Sequence, residues 1–114
     1  MTRDILFLLH PRFVSETGVR QFCPETMMIE GVLACFPDLR NRLDIRYVDF
    51  PKPRLPIVEV VGEAKQGSPM LVRHGDQGPR AIEDLREILA ILTRDYGVSE
   101  ARGMQQASTP PTDK

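Results

Sequence analysis

Ile5 to Leu9 is an unbroken apolar run. Such a run fits a strand covered on both faces, so it is placed at the centre of a sheet. His10 to Phe22 is polar, carries Pro11 and Gly18, and reads as a loop. It is long for a compact connection, which makes it a candidate for function. Pro24 suits the first turn of a helix, where its missing amide is not needed. Met28, Val32 and Cys35 then share one helical stripe, Ile29, Leu33 and Phe36 the adjoining one, and Pro37 stops the helix. Cys35 is expected in the core, because free cysteine packs as a small hydrophobe. Leu43, Ile45 and Tyr47 alternate with Asp44 and Arg46 towards Phe50, the period of a second strand.

Pro51, Pro53 and Pro56 interrupt regular structure, and Ile57, Val60, Val61 and Ala64 then fall at helical spacing. Met70 to Val72 is a strand begun by Ser68-Pro69. His74 to Pro79 reads as a turn, and Arg80 to Ile82 as a short strand paired back onto it. Asp84 is an N-cap, with Glu87 completing a capping-box pattern. Leu85, Ile88, Leu89 and Leu92 form the buried stripe of a last helix that Gly97 ends. The expected fold is α/β, in the order β-α-β-α-β-β-α. Its mixed four-stranded sheet has parallel pairing where a helix crosses over, an antiparallel hairpin late, and helices on both faces. Residues 1–98 make one domain, and the polar stretch 99–114, with Pro110-Pro111, reads as a flexible tail.

Composition narrows the function classes. A chain of 114 residues has the size of a single domain. Its 15 Lys and Arg against 16 Asp and Glu leave a net charge of -1, so it has no long-range attraction for nucleic acid. The Ile5–Leu9 run is too short to span a membrane and lacks a secretory cleavage site, so a cytoplasmic location is expected. Two cysteines in that setting argue against a structural disulfide. No His, Cys and carboxylate set has metal-ligand spacing. Arg40, Arg42, Arg46 and Arg54 read as a solvated face paired with Asp38, Asp44 and Asp49.

Cys23-Pro24 opens the first helix, and Ser68-Pro69 opens the third strand. In this strand order those residues resemble the thioredoxin-like superfamily, with glutaredoxins and the N-terminal domain of glutathione S-transferases nearest in layout. Glu30-Gly31-Val32-Leu33 and Val61-Gly62-Glu63-Ala64, followed by Ser68-Pro69, resemble an uncharacterised bacterial family of unknown function within that superfamily. The resemblance spans Ile5 to Gly97. It implies a cis Pro69 beside Cys23, and it implies that Ser68 pairs with the backbone of a glutathione-like ligand. It places Glu83 and Asp84 at the ligand's γ-glutamyl end. For the glycyl carboxylate it offers no lysine near Cys23; His10, Arg12 and Arg20 are the available cations.

The superfamily's Cys-x-x-Cys motif reads Cys23-Pro24-Glu25-Thr26 here, so Thr26 replaces the second thiol. Cys35 does not substitute for it: twelve residues along one helix is about 18 Å, whereas bridged α-carbons lie within about 7 Å. A redox cycle must therefore borrow glutathione or a protein thiol. A helix N-terminus favours a thiolate by about 0.3–1 kcal/mol, a modest activation. Thr26 is placed to donate to the sulfur and His10 to act as its base or cation, while the Glu25 charge opposes a thiolate. Two readings stand. In one, Cys23 is the nucleophile of a glutathione-linked monothiol protein. In the other, the chain is a non-catalytic module that binds a protein partner or a second copy of itself.

Overall fold

The structure, a computed structural model, describes residues 2–104. Strand β1 (Ile5–Leu9) is buried at every position, as its unbroken apolar run requires. It pairs in parallel with β4 (Asp44–Val48), Ile5 opposite Asp44 and Leu9 opposite Val48. On its other side it pairs antiparallel with β5 (Met70–Gly75), which pairs antiparallel with β6 (Gly78–Ile82). The resulting order, β4-β1-β5-β6, is a mixed four-stranded sheet.

Side-chain alternation along β1 divides the core into two. Leu6 and Leu8 face α1 (Pro24–Cys35) and α4 (Leu85–Tyr96), packing with Ile29, Leu33, Ile88 and Leu92. Ile5, Phe7 and Leu9 face the opposite way, onto Met70, Val72 and Ile57 of α3 (Leu55–Val61). Helices therefore cover both faces, and the expected sequence of main elements is present.

Several local expectations are corrected. The stretch expected as loop contains a small hairpin, β2 (Phe13–Val14) with β3 (Arg20–Gln21). The Ser15 hydroxyl shapes its turn by accepting from the Thr17 and Val19 amides, and Gly18 supplies a φ of 83°. A short helix, α2 (Leu39–Arg42), follows Pro37 and buries Leu39. His74 lies in β5 opposite Pro79 rather than in a turn, and the chain reverses at Asp76-Gln77. Cys35 is exposed, not core. Only the narrow stripe Thr26, Ile29, Leu33 of α1 is buried, which leaves both Met28 and Cys35 on the outer side. Asp84 caps α4 by accepting from the Arg86 amide at 3.1 Å. The reciprocal half of the capping box is absent, because Glu87 pairs with Arg80 at 3.0 Å. Ala101 and Met104, within the segment expected as tail, pack on the core; residues 105–114 lie outside the described residues.

A polar network ties the end of α4 to the sheet. Asp4 accepts from Arg73 Nε at 3.1 Å and from the Tyr96 hydroxyl at 2.7 Å. Arg73 also meets Asp95 at 2.6 Å, and Arg94 and Arg73 together hold the Asp95 carboxyl far below the usual carboxylate range. Burial, reinforced by Asp4, pushes the Tyr96 phenol up to about 12. An unfolded tyrosine ionises near pH 10, so the neutral phenol's contribution is complete below that pH and is lost as pH rises through the folded value. Unfolding free energy is expected to fall by about 2 kcal/mol across that alkaline window, allowing for partial exposure. Urea titrations at successive pH values check this: the slope should flatten in Tyr96→Phe, leaving the smaller contribution of Tyr47, whose phenol burial also raises.

Candidate functional site

The carboxyl ends of β1 and β4 point the same way, so the residues just beyond them come together. His10 and Asp49 follow the register pair Leu9 and Val48. His10 Nε2 lies 3.4 Å from Asp49 Oδ1, and its ring stacks on Tyr47 with centroids 5.8 Å apart. Both members of the pair are exposed. They line a cleft of about 660 Å³, which also takes in Phe13, Phe50 and Arg54. A crevice outside the carboxyl ends of parallel strands is the usual ligand location in α/β sheets. The partner of His10 is Asp49, and no hydrogen bond joins it to Cys23 among the described residues.

Cys23 is the N-cap of α1, with extended backbone (φ -86°, ψ 119°) and no cap bond from its side chain. Pro24 at the first helical position fixes the helix start. The sulfur is half-buried and packs on the cluster that holds Phe7, Ile57 and Met70. Met70 directly follows Pro69, so Cys23 and the end of the Ser68-Pro69 segment share one face of the sheet. The Ser68–Pro69 peptide is cis, as is Lys52–Pro53. Ser68 donates a long bond, 3.4 Å, to the Phe7 carbonyl.

The residue that sequence reasoning missed is Arg54. It was expected on a solvated, carboxylate-paired face, and that expectation is corrected: it is only 9% exposed. Its Nε and Nη2 donate to the Phe50 carbonyl at 3.0 and 2.7 Å, and its Nη1 donates to the Gln66 carbonyl at 2.7 Å. The guanidinium carbon sits 5.6 Å from the Phe50 ring centroid. No carboxylate lies within ion-pair distance of it among the described residues. Burial lowers the proton affinity of Arg54, and the charge of the neighbouring Cys23 sulfur partly offsets this. Arg54 thus fastens the start of α3 to the segment leading into Ser68-Pro69. A buried cation without an acidic partner is costly unless something offsets it. The carbonyl dipoles of Phe50 and Gln66 are the groups at hand. The other three arginines of the expected face differ from it: Arg42 and Arg46 reach Asp38 and Asp44, and Arg40 reaches Glu30.

The remaining candidates have structural partners. Glu83 Oε2 accepts from the Gly67 amide at 2.8 Å, pinning the residue before Ser68. Asp84 is the α4 cap already described. Thr26 is 1% exposed, and its hydroxyl has no hydrogen-bond partner, so it does not donate to Cys23 in this arrangement. Thr26→Val keeps the shape and removes the hydroxyl. It is expected to stabilise the fold by about 1 kcal/mol in urea unfolding; a destabilised variant means that the hydroxyl is bonded. Among the described residues no group of three or more His, Cys, Asp or Glu side chains is arranged to hold a metal ion. No helix among them is long and apolar enough to cross a membrane.

The family described as "Protein of unknown function (DUF3088)" matches residues 3–100, which include every residue of this site. The chain belongs to the DUF3088 family. No curated protein and no solved structure matches it. The DUF3088 match runs from before β1 to beyond α4, so the sheet, its covering helices, Cys23 and Arg54 all lie within the matched residues.

Proposed function

We propose that this DUF3088 domain is a thioredoxin-like monothiol protein that exchanges disulfides at Cys23, with glutathione as the second thiol. The observation that carries this reading is the half-buried Cys23 thiol at the N-cap of α1, packed on the same cluster as Met70, the residue that follows Ser68-Pro69. Support also comes from the sheet order β4-β1-β5-β6 with helices on both faces, the layout implied by the resemblance.

The chemistry follows from having one usable thiol. The Cys23 thiolate attacks the glutathione sulfur of a mixed disulfide. The old S–S bond breaks, and the substrate leaves as a thiolate that takes a proton from solvent. A glutathione thiolate then attacks the sulfur attached to Cys23, releasing glutathione disulfide and restoring the Cys23 thiolate. Arg54 stabilises the thiolate both as nucleophile and as leaving group. Cys35, exposed at the far end of α1, takes no part.

Release of glutathione from a glutathionylated substrate is expected to disappear in Cys23→Ser and to persist in Cys35→Ser. Equal rates in wild type and Cys23→Ser would overturn the proposal. A second reading, a non-catalytic interaction module, draws on the engagement of Glu83 and Asp84 by backbone amides instead of a ligand. It predicts no turnover in any of the three proteins.

A further inference from the structure

Exposed apolar side chains from three parts of the chain lie along two adjoining hollows. Val14 of β2, Phe22 next to Cys23, and Leu55 at the start of α3 are 59%, 55% and 57% exposed. Two hollows connect them. The cleft of about 660 Å³ takes in Val14, Arg54 and Leu55. A groove of about 500 Å³ runs along the hairpin between Val14 and Phe22. Arg12, Phe13 and Val14 line both, so the two are continuous. Phe13 anchors the hairpin by stacking on Phe50 with centroids 4.4 Å apart and planes 6° apart. Phe13, Phe50 and Cys23 all pack on one cluster, and Phe22, the residue before Cys23, lines the groove, while Cys23 itself lines neither hollow.

The hairpin groove carries positive charge without a carboxylate partner. Arg12 and Arg20 are the only charged residues lining the hairpin groove. Neither meets a carboxylate among the described residues. The adjoining cleft is mixed: the exposed Asp49 carboxylate lies beside His10, and Arg54 is bonded to carbonyl groups. Contiguous exposed apolar surface rimmed by charge marks an interaction site, and complementary charge selects its partner. Glutathione itself has no apolar side chain to place against Val14, Phe22 and Leu55, whereas a protein segment does.

We infer that this surface docks an extended protein segment bearing apolar and acidic side chains, whose mixed disulfide is thereby presented to Cys23. This rests on the thiol-exchange reading and names its substrate class. The acidic groups meet Arg12 and Arg20, and the apolar ones cover Val14, Phe22 and Leu55.

Two synthetic peptides test this, each with a single glutathionylated cysteine. In one the cysteine is flanked by leucine and aspartate, in the other by serine and lysine. The disulfide of glutathione with β-mercaptoethanol serves as a small reference substrate. Wild-type protein is expected to process the leucine–aspartate peptide about ten-fold faster in kcat/KM at low salt. The advantage should shrink at high salt and in Arg20→Gln. It should also shrink in the double variant Val14→Ser, Phe22→Ser, which retains its rate on the small reference. Equal rates on the two peptides overturn the inference while leaving the thiol reading intact. Inactivity on all three substrates overturns the thiol reading and this inference with it. A dimer in sedimentation that the serine double variant disperses assigns the surface to a second copy, and also overturns the inference.

Discussion

Replacing Arg54 by methionine is expected to destabilise the domain by about 2–4 kcal/mol and to slow alkylation of Cys23 about ten-fold. The stability loss comes from the acceptors left behind. Phe50 and Gln66 each give a carbonyl to this guanidinium, and a buried acceptor left without a donor costs about 1–3 kcal/mol. Relief of the cation's own desolvation offsets part of that sum. Methionine preserves most of the apolar stem, so the loss reports the guanidinium rather than a cavity. The kinetic effect is separate, because removing the positive charge beside the sulfur disfavours the reactive thiolate. Arg54→Lys divides the two effects: a lysine keeps the charge but not the planar fork that serves two carbonyls. It should lose stability much as methionine does while retaining more of the Cys23 reactivity. Urea unfolding and iodoacetamide kinetics measure the two quantities. An Arg54→Met protein with unchanged thiol kinetics removes Arg54 from the site and leaves it a purely structural clamp.

Phe7→Ala is expected to cost about 3–5 kcal/mol, the range for truncating a buried aromatic side chain. Phe7 is fully buried in the central strand, on the face that carries Ile57, Met70 and Val72. Its carbonyl accepts from Ser68. Loss of the ring opens a cavity under both Cys23 and the Ser68-Pro69 segment, and a close-packed interior refills such a space only partly. The urea midpoint should fall with the slope of the transition unchanged. The proposed thiol exchange should weaken even under conditions where the variant remains folded. A loss below about 1 kcal/mol would contradict the packing described for this face.

Much of the fold is legible in the sequence because each main element follows one clear period. The unbroken run of β1, the stripe Leu85, Ile88, Leu89, Leu92 of α4, and the alternation in β4 all lead to their observed places. The β2–β3 hairpin escapes notice because two-residue strands have no period to read; a serine hydroxyl and a glycine at positive φ shape it. Cys35 is misplaced because two adjacent stripes on α1 look equally apolar, and only contact with the sheet decides that the buried stripe is the narrower one through Ile29 and Leu33. Ser68, Pro69, Glu83 and Asp84 can be picked out in sequence as elements near a junction. What they bond to cannot, and two of them turn out to bind backbone amides. Arg54 gives the weakest signal of all. It is one arginine in a proline-rich stretch, and its partners are main-chain carbonyls, which carry no residue identity.

The chain supplies its own control for the central claim, because Cys23 is half-buried and Cys35 exposed. Limited alkylation with iodoacetamide near neutral pH, quantified site by site by mass spectrometry, compares the two sulfurs in one tube. On the proposed thiol-exchange reading, Cys23 is expected to react about ten-fold faster than the more accessible Cys35, since the thiolate is the attacking species. Modification of Cys35 first, with Cys23 following only on unfolding, would contradict the account.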